Sequence, residues 1–122
     1  MKNLFQLSTI QKHSLFWLVI FWINLLLLLY LTLAPSVAPN VGYTHADKIY
    51  HFIGFGVLTF LSKLAYLKLS LKLTAIAMAA LGLFVELAQS SLSYRTFSIA
   101  DLLADIGGIL FAVVILQWLK IK

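Results

Sequence analysis

Three side chains in this sequence are equipped to move a proton or hold an ion from within apolar stretches: His51, Glu86 and Asp105. Each has polar company at helical spacing, in Asp47-Lys48-x-x-His51, Glu86-x-x-Gln89 and Asp101-x-x-x-Asp105, with Arg95 between the last two. An imidazole beside carboxylates is the equipment of general acid–base chemistry. Lys48 and Arg95 are suited to anchoring an anionic headgroup.

Structural roles explain some of these residues. Thr44-x-x-Asp47 and Ser98-x-x-Asp101 both fit capping boxes that open a helix, and an acid in a first turn meets the positive end of the helix dipole, worth about 0.3–1 kcal/mol. Glu86 and Asp105 have no such account. Glu86 falls near the C-terminal end of an apolar segment, where the dipole disfavours an anion, and Asp105 lies a full turn below the capping position. A carboxylate in mid-membrane costs about 2.5–3.5 kcal/mol on insertion scales, less near the interface. Glu86 is therefore expected to bind a proton or to pair with Arg95, Lys48 or His51. A lone interior histidine most often does no more than hydrogen-bond, but His51 has unusually acidic company.

Other chemistries leave no signature. There is no H-E-x-x-H spacing, no glycine-rich phosphate loop, no serine nucleophile elbow and no aromatic-basic nucleic-acid pattern. One imidazole among oxygens has the donor types for a divalent cation, yet no recognised ligand spacing accompanies it, so neither a metal nor a cofactor is expected. Cysteine is absent, which excludes disulfides and thiolate sites.

The elements that must position these groups follow from composition. Of 122 residues, 62% are hydrophobic and 11% charged, with a mean hydropathy of +1.00; lipid has to solvate much of such a surface. A helical span takes about 20 residues, which leaves room for four spans and no separate soluble domain. The expected fold is an all-α, four-helix transmembrane bundle forming one domain over 1–122, with spans near 15–34, 46–67, 71–89 and 99–119. Pro35 and Pro39 should end the first helix, since proline lacks the N–H and clashes with the preceding turn. Ser36-Val37-Ala38 superficially resembles a signal-peptide cleavage site, but Pro39 follows it and the apolar run exceeds about 7–15 residues, so a retained span is expected. The brief turn before Leu71 implies an antiparallel hairpin, and Ser90 to Ser98 reads as a polar loop. Phe16, Trp17, Phe21, Trp22 and Trp118 read as lipid or interface contacts.

Charge divides by side. Lys2, Lys12, Lys63, Lys68, Lys72, Lys120 and Lys122 fall on one side with no acid; Asp47, Glu86, Asp101 and Asp105 fall on the other with Lys48 and Arg95, a net of −2 that completes the chain's +5. Lysine-rich loops stay cytoplasmic. Both termini are thus expected inside, in the inner (cytoplasmic) membrane of a multi-pass protein, with the polar site facing outward. Lys63, near the inner end of its span, is expected to snorkel to the headgroups.

A weak internal echo relates Thr44-His45-Ala46-Asp47, His51 and Gly54 to Ser98-Ile99-Ala100-Asp101, Asp105 and Gly108 at a constant offset of 54, as a repeat of two helical hairpins would. Asp47, His51 and Gly54 share a helix face, as do Asp101, Asp105 and Gly108 beside the ladder Ala100, Ala104, Gly108, Ala112, and as do Ala79, Gly82, Glu86 and Gln89. Small residues let helix backbones approach closely in lipid, so the polar faces should converge on one another.

Asp47-Lys48-x-x-His51-Phe52, Glu86-x-x-Gln89, Arg95 and Asp101-x-x-x-Asp105-x-x-Gly108 together resemble the VanZ-like family, over roughly Ala34 to Leu116. That resemblance implies a small multi-pass bacterial membrane protein, and the family's founding member is linked to resistance to the glycopeptide teicoplanin. The family's polar signature falls on Asp47, Lys48, His51, Glu86, Gln89, Arg95 and Asp101. The family commonly carries asparagine where this chain has Asp105, which a protonated carboxyl can imitate in hydrogen bonding.

The resulting expectation is a cell-envelope protein that binds or shields an outer-leaflet component: an anionic headgroup, a lipid-linked wall precursor or an amphiphilic antibiotic. Its ligand-binding residues are Lys48, His51, Glu86, Gln89, Arg95 and Asp105, with Asp47 and Asp101 capping helices and orienting the cations. Its partner is a membrane lipid or lipid-linked cell-wall component rather than nucleic acid. Two alternatives stand beside it: a membrane enzyme acting on a lipid-linked phosphate or ester through His51, Glu86 and Asp105, and a scaffold whose polar residues only lock the helices together.

Overall fold

The structure is a computed structural model describing residues 14–35 and 46–122. These contain four α-helices: α1 (Ser14–Leu33), α2 (Ala46–Ala65), α3 (Leu71–Ser90) and α4 (Ile99–Trp118). The Thr44 cap of α2, the segment around Pro39, and Lys2 and Lys12 lie outside the described residues. The other boundaries have local causes. α1 stops two residues before Pro35. Ser70 caps α3 by accepting the Leu73 N–H at 3.1 Å, and Ser98 caps α4 by accepting the Asp101 N–H at 3.2 Å.

α1, α3 and α4 are long and apolar enough to cross a membrane. α2 has the same length, 20 residues, but Asp47, Lys48, His51 and Lys63 make it less apolar. Its position accounts for His51 and Lys63, while Asp47 and Lys48 lie in its first turn. α2 packs against all three other helices, and His51, Phe55, Leu58, Thr59, Ser62 and Lys63 are all buried. Polar side chains on the most enclosed helix are shielded by protein rather than set against lipid.

Helices consecutive in the chain run antiparallel. Leu28 of α1 lies against Gly54 of α2, and farther along Phe21 stacks edge-on against Tyr66 at 5.6 Å while the Trp22 Nε1–H donates to the Tyr66 hydroxyl at 3.1 Å. Phe21 is thus a core residue rather than a lipid contact, joined there by Phe55, Leu58, Met78, Val85 and Ile109. Leu26, Leu27, Phe84, Leu87, Leu110 and Val114 form part of the exposed apolar exterior.

α2 and α4 run parallel and make the tightest contact of the bundle, because glycines remove the side chains between them. A Cβ on Gly56 would sit 3.3 Å from the Gly108 carbonyl oxygen, and one on Gly108 would run into the carbonyl oxygen of Phe52. Backbone approach of this kind is how small residues drive helix association in lipid. Lys63 departs from the expected snorkelling. It is fully buried, and its Nζ donates to the carbonyl oxygens of Leu67, at 2.9 Å, and Leu69. The turn after α2 leaves carbonyls without helical partners, and the ammonium satisfies them.

Gly108→Ala is accordingly expected to destabilise the bundle by about 1–3 kcal/mol, the usual range for overpacking. Gly107→Ala, whose Cβ would meet only the Phe52 ring at 3.3 Å, should cost less. Thermal unfolding of the two variants in detergent compares them; equal midpoints would contradict a crossing set by Gly108.

Candidate functional site

Three helices each send one ionisable side chain to a common point. The imidazole of His51, one turn into α2, shares a 2.8 Å hydrogen bond between its Nδ1 and Oδ1 of Asp105 on α4. Oε1 of Glu86, from α3, lies 3.9 Å from the same nitrogen. His51 is 7% exposed, and Glu86 and Asp105 are 0% exposed. Burying two carboxylates is costly unless they are paired and hydrogen-bonded, and here one imidazole faces both.

A backbone contact orients Glu86. Its Oε2 accepts the Ser98 N–H at 3.2 Å, at the opening of α4. In a complete capping box the acid at the third helical position reaches back to the cap residue's own N–H. Ser98 fulfils its half by accepting from Asp101, but the returning bond comes from Glu86 of another helix. Asp101 is thereby released, and its Oδ1 lies 3.8 Å from the ammonium of Lys48. Lys48 and Asp101 thus form a second, more exposed pair one turn toward the helix openings from the His51–Asp105 pair. Both pairs join α2 to α4.

Hydrogen-bond accounting leaves a remainder. Glu86 Oε1, Asp101 Oδ1 and Asp105 Oδ2 are buried without a hydrogen-bond partner. Beside Asp105, Gly82 of α3 keeps space open, since a Cβ there would come within 3.1 Å of Oδ2.

An apolar groove begins next to the outer pair. Lys48, Ile49, Phe52, Ile53 and Ala104 line one open depression there, and a second, sharing Phe52 and Ile53 with it, lies between α2 and α4 against Gly56, Val57, Phe60, Phe111, Ala112 and Ile115. The glycine crossing that brings the helices together lies in its wall.

The remaining residues singled out from the sequence are placed elsewhere. Gln89 is buried, and its Nε2–H donates to the Thr32 carbonyl at 2.7 Å; Arg95 donates to the Ala34 carbonyl at 3.4 Å. Both hold the end of α1, where Tyr94 also donates to Leu33 at 2.6 Å. Among the described residues no ion pair joins Arg95 to Glu86. Asp47 is exposed in the first turn of α2. Sequence reasoning overlooked Gly56, Tyr94 and the Ser98 backbone N–H as a carboxylate donor. Gly56, two residues beyond Gly54, had a visible signal in its residue type, but a backbone N–H has none.

A family model described as VanZ/LLP1 matches residues 3–120 of the chain, and the chain belongs to that family. No curated protein and no solved structure gives a match.

Removing either kind of polar contact should cost different amounts. His51→Ala leaves Asp105 buried beside Glu86 without its partner and is expected to cost about 3–5 kcal/mol. Gln89→Ala removes one interhelical bond, for which membrane proteins average about 0.6 kcal/mol. Asp105→Asn retains an acceptor for His51 and should fall between them. Unfolding in mixed micelles measures all three; a His51→Ala loss no larger than that of Gln89→Ala would show that the cluster holds nothing together.

Proposed function

We propose that this VanZ/LLP1 family member binds an anionic amphiphile of the membrane's outer leaflet, with the headgroup at Lys48 and the chain along the α2–α4 groove. The observation carrying this reading is a partly exposed lysine whose side chain lines the first of two adjoining open apolar depressions on the α2–α4 face. Asp101 holds Lys48 at that mouth without full charge neutralisation, since the two are 3.8 Å apart and Lys48 remains 38% exposed. A lipid-linked wall precursor has this amphiphilic chemistry, and sequestering or shielding one gives a route to glycopeptide resistance in the cell envelope. Arg95, at the junction of α1 with the loop before α4, is a second cation for a larger headgroup.

The lysine distribution supports the orientation. Lys63, Lys68 and Lys72 gather at the α2–α3 turn and Lys120 and Lys122 follow α4, while every acid lies toward the opposite helix ends. The positive-inside rule then puts both termini in the cytoplasm and the Lys48 mouth on the outer face of the inner membrane.

Burial favours binding over catalysis. A general acid or base must come within hydrogen-bond reach of the group it serves, and Glu86 and Asp105 are enclosed by protein. In this reading they hold the walls of the groove, and Lys48 touches the ligand.

The test is retention of lipid by the purified protein. Protein extracted from bilayers mixing phosphatidylglycerol with phosphatidylcholine should retain phosphatidylglycerol preferentially in native mass spectrometry. Lys48→Ala should weaken that preference roughly tenfold, the loss of about 1.4 kcal/mol, with folding unchanged. Equal retention of both lipids, or a preference unaffected by Lys48→Ala, would leave a scaffold without a ligand. Turnover of a lipid-linked phosphate by wild type, abolished in His51→Ala, would instead establish the enzyme.

A further inference from the structure

We infer that His51, Glu86 and Asp105 form a binding site for one divalent transition-metal cation, with His51 Nδ1, Glu86 Oε1 and a carboxylate oxygen of Asp105 as its ligands. The inference concerns the interior of the bundle and does not depend on any lipid at Lys48.

Geometry comes first. One ligand atom from each residue can be chosen so that all three lie within 4.8 Å of one another. Metal bonds of about 2.0–2.2 Å place neighbouring ligand atoms about 3–3.4 Å apart in tetrahedral or octahedral arrangements. The measured separations from His51 Nδ1, 2.8 Å to Asp105 Oδ1 and 3.9 Å to Glu86 Oε1, bracket that spacing. Binding would draw together ligand atoms that now lie within 4.8 Å of one another.

Unmet hydrogen-bond acceptors are the second, independent observation. Glu86 Oε1 and Asp105 Oδ2 are buried acceptors without a partner, on side chains that are 0% exposed. Native structures rarely leave such atoms unsatisfied, and an ion is one of the standard explanations. Glu86 is also held as metal ligands usually are, by an outer contact that orients it. The Ser98 N–H takes Oε2 of Glu86, which turns Oε1 toward His51, and Gly82 preserves the space beside Asp105 Oδ2.

Charge balance points the same way. Two carboxylates and a neutral imidazole cancel a 2+ ion completely, whereas a protonated imidazole cancels only one of the two negative charges. On binding, the proton between Nδ1 and Oδ1 leaves to solvent and the metal takes its place. A mixed nitrogen and oxygen set favours borderline Zn²⁺ through its imidazole, or the harder Mn²⁺ through its carboxylates, over Ca²⁺. The ion would tie α2, α3 and α4 together in the absence of any disulfide.

The full chain, purified in detergent with a histidine-free tag, loaded separately with Zn²⁺ and with Mn²⁺ and then desalted, is assayed by elemental mass spectrometry. About one equivalent per chain of at least one metal is expected. At least a tenfold loss should follow from Glu86→Gln and from Asp105→Asn, while Asp101→Asn, outside the ligand set, retains the metal. Failure of wild type to hold a stoichiometric amount of either metal overturns the site, as does equal retention by Glu86→Gln and Asp105→Asn. Should those variants fail to fold, Co²⁺-loaded wild type decides the matter. Visible absorption showing nitrogen and oxygen coordination, lost to a chelator together with a fall in melting temperature, upholds the site; absence of either change rejects it. Lipid retention at Lys48 is read separately, so either reading can fail alone.

Discussion

Two carboxylates enclosed in the apolar interior, facing one imidazole, are the constraint around which this bundle is organised. Neither Glu86 nor Asp105 has water to solvate it, and in a bilayer the hydrocarbon offers nothing in exchange. Their stabilising contacts must come from other helices. His51 supplies them from α2 and the Ser98 N–H from the start of α4, so satisfying the acids requires α2, α3 and α4 to meet in one register. Apolar packing between lipid-facing helices has little directional preference, and the polar contacts provide it.

Close approach is the condition that makes those contacts reachable. Gly56 and Gly108 bring the α2 and α4 backbones together one to two turns beyond the His51–Asp105 bond, and Gly82 opens α3 beside Asp105. The same crossing shapes the groove that starts at Lys48. Interior cluster and exterior groove are therefore two sides of one helix pair, linked through Asp101, which belongs to the first turn of α4 yet faces Lys48. A shift of α2 along α4 would disturb both. Membership of the VanZ/LLP1 family spans nearly all of the chain, so the pair lies within the family's own fold rather than in an appended element.

The offset of 54 positions has a geometric counterpart in the bundle. His51 and Asp105 are separated by 54 positions, the interval relating Asp47 to Asp101 and Gly54 to Gly108. The two equivalent positions bond to each other across the parallel α2–α4 pair, as related helices would if they met about an axis between them. The glycines depart from that equivalence. Gly108 packs into the α2 crossing, whereas Gly54 packs against Leu28 of α1 and Gly56 takes the corresponding contact.

Much of the architecture was legible in the residues alone. Four helices, their approximate ends, the turn before Leu71 and the need of Glu86 and Asp105 for partners all follow from local properties: apolar run length, proline, serine caps, and the expense of an acid in an apolar segment. Partner choice was not legible. Nothing in the spacing of Glu86 and Arg95 says that the arginine turns to the end of α1 while a backbone N–H from Ser98 takes the carboxylate. Lys63 likewise has the composition of a snorkelling residue and is instead drawn to free carbonyls in the adjoining turn. Helical periodicity assigns a side chain to a face, but which neighbour that face meets depends on rotation, crossing point and backbone hydrogen bonds that no residue type encodes. The chain's chemistry thus determined which groups needed partners; only the packed bundle decided which partners they found.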